Sequence, residues 1–227
     1  MGEHHNIWEH YQGIGVRAFA ANEGRLVWLA SLAQAGSRVL NIGAGNGRLE
    51  ELCLARGAEV WSADPGPKSV ENLRGRLGLG ERAVVASAEK LPFPADFFDT
   101  VVMSEVLEHL PPETLRPAFE EARRVLRPGG RFCGTVPWAE DLSELETICP
   151  RCGEIFHRWG HRQSFTPETL AAELRRVFGA VSAVKKLFVP WRVLNWKGRL
   201  QGAFNTVLFR MGLLGDSRLS IFFDCRK

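Results

Sequence analysis

The residues best placed to do chemistry begin with Gly43, Gly45 and Gly47, which interrupt the apolar run Val39-Leu40-Asn41-Ile42 and lead into Arg48-Leu49-Glu50-Glu51-Leu52-Cys53-Leu54-Ala55. An apolar run broken by alternating glycines predicts a strand turning tightly into a helix. Glycine supplies backbone angles closed to other residues and lets a ligand approach the main chain at a helix N-terminus. Glu59-Val60-Trp61-Ser62-Ala63-Asp64 predicts the next strand. Its terminal acid follows the glycines by about 20 residues, where a carboxylate can accept hydrogen bonds from both hydroxyls of a ribose. The pattern predicts a nucleoside-binding crevice. Its order is G-x-G-x-G rather than the dinucleotide order G-x-G-x-x-G, and Arg48 occupies the place of the third dinucleotide glycine, which disfavours a nicotinamide cofactor.

A second group is Cys149-Pro150-Arg151-Cys152-Gly153 followed by His157 and His161. Cys-x-x-Cys turned by proline and glycine presents two thiolates to one metal, and His-x-x-x-His adds two nitrogens. We expect Cys149, Cys152, His157 and His161 to hold one structural zinc that folds a loop beside the substrate. The competing reading makes the segment from His161 to Glu168 an ordinary loop and helix start, with the cysteines incidental. A redox pair is disfavoured because no thioredoxin-like context surrounds it. A third candidate is His109, whose imidazole lies just past a predicted strand and titrates near neutral pH, as a general base should. Its competing role is structural.

Composition bounds these readings. The chain has 227 residues, 45% hydrophobic and 24% charged, and a formal net charge of +3. That suits one globular domain with a sizeable core and is far from the basic density of a nucleic-acid platform. No nucleic acid is expected as a partner. No run of eighteen apolar residues appears and Met1-Gly2-Glu3-His4-His5-Asn6 lacks a signal-peptide order, so a cytoplasmic protein is expected. Five cysteines, an odd number, do not form a disulfide framework.

The elements that must position these residues alternate. Residues 22–32 and 68–77 predict helices; 82–86 and 97–103 predict strands; 113–126 predicts a helix closed by Arg127-Pro128-Gly129-Gly130; 131–137 predicts a strand. Strands alternating with helices predict an α/β, doubly wound, mostly parallel sheet covered on both faces, with ligands outside the strands' carboxyl ends. Thr166-Pro167-Glu168 starts a helix, Ala180 to Val189 and Arg218 to Cys225 predict strands, and Trp196, Leu200, Phe204, Val207, Leu208 and Met211 recur at helical spacing between them. We read 1–227 as one domain carrying three additions. These are an N-terminal helical arm over 1–36, whose first twenty residues carry His4, His5, Trp8, His10 and Tyr11 and could lid the crevice, a Cys/His-rich insertion over 139–165, and a helical insertion over 190–215. The last helix packs on the sheet, walls a substrate pocket, or touches a membrane or lipid-like molecule.

The glycine run, Asp64, Ser87-Ala88-Glu89-Lys90-Leu91-Pro92-Phe93, the Phe98-Asp99 strand entry, Glu105-Val106-Leu107-Glu108-His109-Leu110 and Leu126-Arg127-Pro128-Gly129-Gly130, in that order, resemble class I S-adenosylmethionine-dependent methyltransferases of the small-molecule type, near those of ubiquinone and menaquinone biosynthesis. The resemblance implies a Rossmann-like seven-stranded sheet with an antiparallel last strand. It implies a cofactor site built by Asn41, Gly43, Ala44, Gly45, Asp64, Pro65, Ser87, Ala88, Glu89 and Ser104. The glycines meet the methionine part, Asp64 the ribose, Pro65 the adenine face, and Ser87 and Ala88 the adenine edge. Ser104 and Glu105 would face the reacting methyl, with Glu105 and His109 as catalytic candidates. The family usually has an acid at position 41 and Asp at position 87. The amide and hydroxyl here still accept hydrogen bonds, without formal charge.

The activity implied is methyl transfer from S-adenosylmethionine to oxygen, nitrogen or carbon of a small or lipid-like molecule, leaving S-adenosylhomocysteine. A non-catalytic S-adenosylmethionine-binding regulator is the alternative, motivated by Asn41 and Ser87. An RNA methyltransferase ranks below both, because no Asn-Pro-Pro-aromatic motif follows the Val101 strand, and a nucleotide-dependent oxidoreductase ranks last on glycine spacing.

Overall fold

A computed structural model describes residues 23–191, 194–214 and 219–227. The histidine- and aromatic-bearing arm ahead of residue 23, with its possible role as a lid, lies outside the described residues. From Glu23 onward the chain alternates. Helix α1 (Glu23–Ala30) precedes β1 (Arg38–Ile42), α2 (Arg48–Leu54), β2 (Glu59–Asp64), α3 (Pro67–Leu77), β3 (Ala83–Val85), β4 (Phe98–Ser104), α4 (Pro112–Val125) and β5 (Leu126–Pro137). A two-stranded hairpin, β6 (Glu146–Ile148) and β7 (Ile155–His157), comes next, followed by α5 (Pro167–Arg175), β8 (Ala180–Lys186), α6 (Trp196–Arg210) and β9 (Ser220–Arg226).

Seven strands join in the order β3-β2-β1-β4-β5-β9-β8. The first five are parallel, and β9 runs antiparallel between β5 and β8. This is the mostly parallel sheet that the alternation predicted, with the antiparallel last strand that the resemblance implied. The chain winds from β1 toward β3 on one side and from β4 toward β5 on the other. The order reverses between β1 and β4, and ligands in such sheets bind outside the carboxyl ends of the strands at that reversal.

Alternation along the strands sorts two cores. Leu40 and Ile42 of β1 and Val101 and Met103 of β4 face α4 and α5, where Phe98, Leu115, Phe119, Phe132, Leu170 and Phe223 are all buried. Val39 and Val102 point the other way, toward Leu29 of α1, Leu49 and Cys53 of α2, and Leu73 of α3. Helices thus cover both faces, and each large buried side chain contributes about 1.5–3 kcal/mol. The expected turn at Arg127-Pro128-Gly129-Gly130 is a bulge within β5. Pairing starts at Phe98 with Leu126 and resumes at Thr100 with Arg131, while Gly129 and Gly130 bond the main chain of Lys227.

Two late segments decide what surrounds the site. Residues 146–157 form a hairpin held by a strand ladder, Glu146 opposite His157 and Ile148 opposite Ile155. Helix α6 is seated by Gly202, where a methyl group would come within 2.7 Å of Val189. Its apolar stripe points outward: Trp196 is 68% exposed, Leu200 63% and Phe204 57%. No helix among the described residues is long and apolar enough to cross a membrane.

Candidate functional site

The turn from β1 into α2 fits its glycines for steric reasons. Gly43 sits at φ 86°, and a Cβ there would lie 2.4 Å from a methyl of Val106. Gly47 sits at φ 80°, and its Cβ would lie 2.5 Å from Leu73, so this glycine lets α2 close on α3. Asp64 ties two turns together. One carboxylate oxygen accepts from the Ala44 amide at 2.9 Å and the other from the Gly66 amide at 2.7 Å. The side chain is nearly buried, and a carboxylate has about four acceptor sites, so Asp64 can take further donors from the cavity it lines.

Glu50, on α2, was missed as a site residue because sequence places it in a polar helical stretch. It is fully buried and accepts both the Asn41 amide at 2.9 Å and the Ser62 hydroxyl at 2.7 Å on one oxygen. Burial pushes its carboxyl above the usual range, against the two donors. The amide at position 41 is thereby explained: an acid there would face a second carboxylate. Asn41 Oδ1 is buried, has no hydrogen-bond partner among the described residues, and belongs to a residue that lines the cavity.

That cavity measures about 540 Å³ and gathers Asn41, Gly43, Ala44, Gly45, Asp64, Pro65, Ser87, Ala88, Glu89 and Ser104, together with Glu105 and His109. All ten expected cofactor contacts and both catalytic candidates therefore share one space. Glu105 holds a left-handed backbone at φ 56°, which costs a non-glycine residue about 1–2 kcal/mol. It is held by its partners. Thr135 Oγ1 donates to Glu105 Oε1 at 3.0 Å, so the Ser104 hydroxyl must be the donor in its 2.9 Å contact with Thr135. Arg25, nearly buried on α1, pairs with Glu105 Oε2 at 3.3 Å. Arg25 was also missed, and its signal was a cation within an otherwise apolar helical stretch.

The far end of the cavity is made by chain segments distant in sequence. The Arg162 amide donates to the Glu108 carbonyl at 2.7 Å, and Gln163 Nε2 donates to the Leu110 carbonyl at 2.6 Å. These bonds bring His161 against His109, with ring centres 4.7 Å apart. His109 Nδ1 faces the Gly160 carbonyl at 3.3 Å. A carbonyl only accepts, so Nδ1 carries the proton and Nε2 is the acceptor nitrogen. Burial, with His161 beside it, pushes His109 down to about 3. An imidazole titrating near neutral pH, as sequence predicted, does not fit this environment. Glu108 is 1% exposed, and neither oxygen has a hydrogen-bond partner among the described residues. Burial and the nearby Glu105 push it well above the usual carboxylate range.

The expected zinc set does not assemble. Cys149 and Cys152 occupy the hairpin turn, where Gly153 donates to the Cys149 carbonyl at 2.9 Å, and His157 ends β7 on the opposite side. At about 3.3 Å per residue, the strand separates thiols from imidazoles. No cysteine joins a cluster of three or more possible metal ligands among the described residues. His161 and His157 meet Glu140 instead. The Cys149 thiol is held below its usual range by the amides of Cys152 and Arg151, so the knuckle geometry exists without the two nitrogens.

Comparison with known proteins agrees with this architecture. A model of the methyltransferase domain family matches residues 40–134. The ubiquinone biosynthesis O-methyltransferase of Xanthomonas axonopodis pv. citri (strain 306) is 33% identical over 201 residues, covering 82% of each chain. An uncharacterized methyltransferase of Mycobacterium tuberculosis (strain ATCC 25618 / H37Rv) is 36% identical over 126 residues, covering 52% of this chain and 49% of that protein. The chain thus spans about half the length of that relative. A crystal structure of Burkholderia thailandensis 1,6-didemethyltoxoflavin-N1-methyltransferase, with bound 1,6-didemethyltoxoflavin and S-adenosylhomocysteine, has the same fold. It is 19% identical, with a TM-score of 0.65, over 98% of this chain and 86% of that one. With the sheet order, the glycine turn and the Asp64 clamp in place, the chain belongs to the S-adenosylmethionine-dependent methyltransferase family.

Proposed function

We propose that this chain transfers the methyl group of S-adenosylmethionine to an oxygen, nitrogen or carbon of a small or lipid-like molecule. The observation that carries the reading is the single cavity running from the Asn41, Gly43 and Asp64 wall to Glu105, Glu108 and His161. The residues present fit the cofactor. Nothing lies within 4 Å of a Cβ built on Gly45, so the main chain there is open to a ligand. In this reading Asn41 Oδ1 accepts from the methionine ammonium, Asp64 from the ribose hydroxyls, and Ser87, Ala88 and Glu89 meet the adenine edge beside Pro65.

When bound, the sulfonium supplies an electrophilic methyl, so the chain's own work is alignment and exclusion of water. Ser104 and Glu105 stand where β4 ends, between the two halves of the cavity. Arg25 and Thr135 hold the Glu105 carboxylate in place there. His109, whose basicity burial lowers, shapes the acceptor end rather than serving as the base. The outward apolar stripe of α6 supports an apolar or membrane-held acceptor, with Lys197, Arg199 and Arg210 on the same helix to meet anionic headgroups.

Calorimetric titration of the full chain with S-adenosylhomocysteine is the first test, followed by transfer of labelled methyl to extracted small molecules and lipids. Binding and a labelled product are expected. A folded protein that binds no S-adenosylhomocysteine overturns the reading. The second reading, a regulator that senses the cofactor, is favoured by the uncharged Ser87 and predicts binding without any labelled product.

A further inference from the structure

We propose that Glu108, His109 and His161 form a divalent-metal site at the acceptor end of the cavity, with Glu140 as the group that orients His161. One ligand atom from each of the three side chains lies within 4.8 Å of the other two. His109 Nε2 is 3.9 Å from Glu108 Oε1. The independent observation is Glu108 itself, 1% exposed with both oxygens lacking a hydrogen-bond partner among the described residues. An ionised carboxylate in that state is strongly disfavoured, so Glu108 either keeps its proton or exchanges it for a cation.

Hydrogen bonding sets the imidazoles as ligands. His109 gives its Nδ1 proton to the Gly160 carbonyl, which turns its Nε2 lone pair toward Glu108. His161 Nδ1 pairs with the Glu140 carboxylate, which leaves Nε2 as its ligand nitrogen. A metal-binding histidine whose other nitrogen donates to a carbonyl or carboxylate is the usual supporting arrangement. His157 is excluded by the same reasoning. Its Nδ1 accepts the His161 amide at 3.0 Å, so its Nε2 carries the proton and points a donor, not a lone pair, toward Glu140. Glu105 is excluded because Thr135 and Arg25 occupy its oxygens.

Two imidazoles and one carboxylate suit a first-row divalent ion such as Zn²⁺, Mn²⁺, Fe²⁺ or Co²⁺ and leave coordination positions open. Metal–ligand bonds near 2.1 Å bring ligand atoms to about 3–3.5 Å from each other, so binding draws these side chains together. All three residues line the cavity. Resting on the methyl-transfer reading, the open positions face an oxygen of the acceptor.

The test is titration of the metal-stripped full chain with Co²⁺, read by visible absorption and by calorimetry, with no acceptor present. One equivalent is expected, and Glu108→Gln and His161→Ala should each weaken it more than 10-fold. Glu140→Gln should weaken it less, by about 10-fold. Cys149→Ser should leave it unchanged. A folded wild type that takes up no Co²⁺, or binding lost in Cys149→Ser and kept in His161→Ala, overturns the proposal. His161 is partly exposed, so His161→Ala keeps the test decisive even if Glu108→Gln misfolds. S-adenosylhomocysteine binding, measured in parallel, reports on the methyl-transfer reading separately.

Discussion

Asn41 donates its side-chain amide to the fully buried carboxylate of Glu50 at 2.9 Å, beneath the glycine turn that opens the crevice. This contact converts a departure from the family pattern into a requirement of the site. It also sets a pH dependence. The folded-state pKa of Glu50 is raised, so the folded protein holds a proton there that the unfolded chain releases near pH 4.5. Stability linked to Glu50 is complete below that value and is lost as pH rises through the raised pKa. Thermal melts should therefore show Glu50→Gln gaining on wild type as pH increases from 5 toward 8. An unchanged difference between the two proteins across that range would remove Glu50 as a titrating group.

Under the proposed function Asp64 serves the fold and the ligand together. Its two oxygens hold the Ala44 and Gly66 amides at 2.9 and 2.7 Å, and hydrogen bonds to charged groups contribute about 1.5–3 kcal/mol each. Asp64→Ala should lower the melting temperature and weaken S-adenosylhomocysteine by about 10- to 100-fold or more. Asp64→Asn keeps the shape and should lose less stability than affinity. Calorimetry and melts on the two variants separate these effects.

Gly43→Ala adds a methyl that would sit 2.4 Å from Val106, at φ 86°. The backbone and overpacking costs together come to about 2–4 kcal/mol. Adding Val106→Ala should restore the steric part and leave the backbone part. Denaturant unfolding of the single and double variants checks this, and a double variant no more stable than Gly43→Ala would show that Val106 is not the obstacle.

The hairpin carrying the cysteine pair is closed by its own ladder. Cys149→Ser and Cys152→Ser should each change stability by no more than about 0.5 kcal/mol, the usual range for surface positions. A large loss that zinc chelation reproduces in wild type would restore a structural role for metal at the thiols.

Leu200→Lys and Phe204→Lys place charge on the exposed stripe of α6, where the native side chains are 63% and 57% exposed. The fold should tolerate both. Flotation with anionic vesicles should fall in the double variant if the stripe meets lipid. Equal flotation of the variant and wild type would assign the stripe elsewhere.

The glycine turn and the Asp64 strand end were legible in the residues because their information is local. Asn41 to Arg48 is one strand-turn-helix, and Asp64 closes the next strand, so the glycine spacing and the apolar runs place them without long-range knowledge. The mostly parallel sheet covered on both faces followed from alternation of strands with helices for the same reason. The acceptor half was not legible. His109 and Gly160 are 51 positions apart, and Arg25 reaches Glu105 from a different helix. The four-ligand zinc reading failed on the same ground: short spacing between Cys152 and His157 suggested proximity, whereas an extended strand between them sent thiols and imidazoles to opposite ends of a hairpin. Spacing along a chain specifies neighbours within one turn or helix. Which buried carboxylate meets which imidazole is decided by packing of distant segments, and here the bonds from Arg162 and Gln163 to the Glu108 and Leu110 carbonyls made that choice.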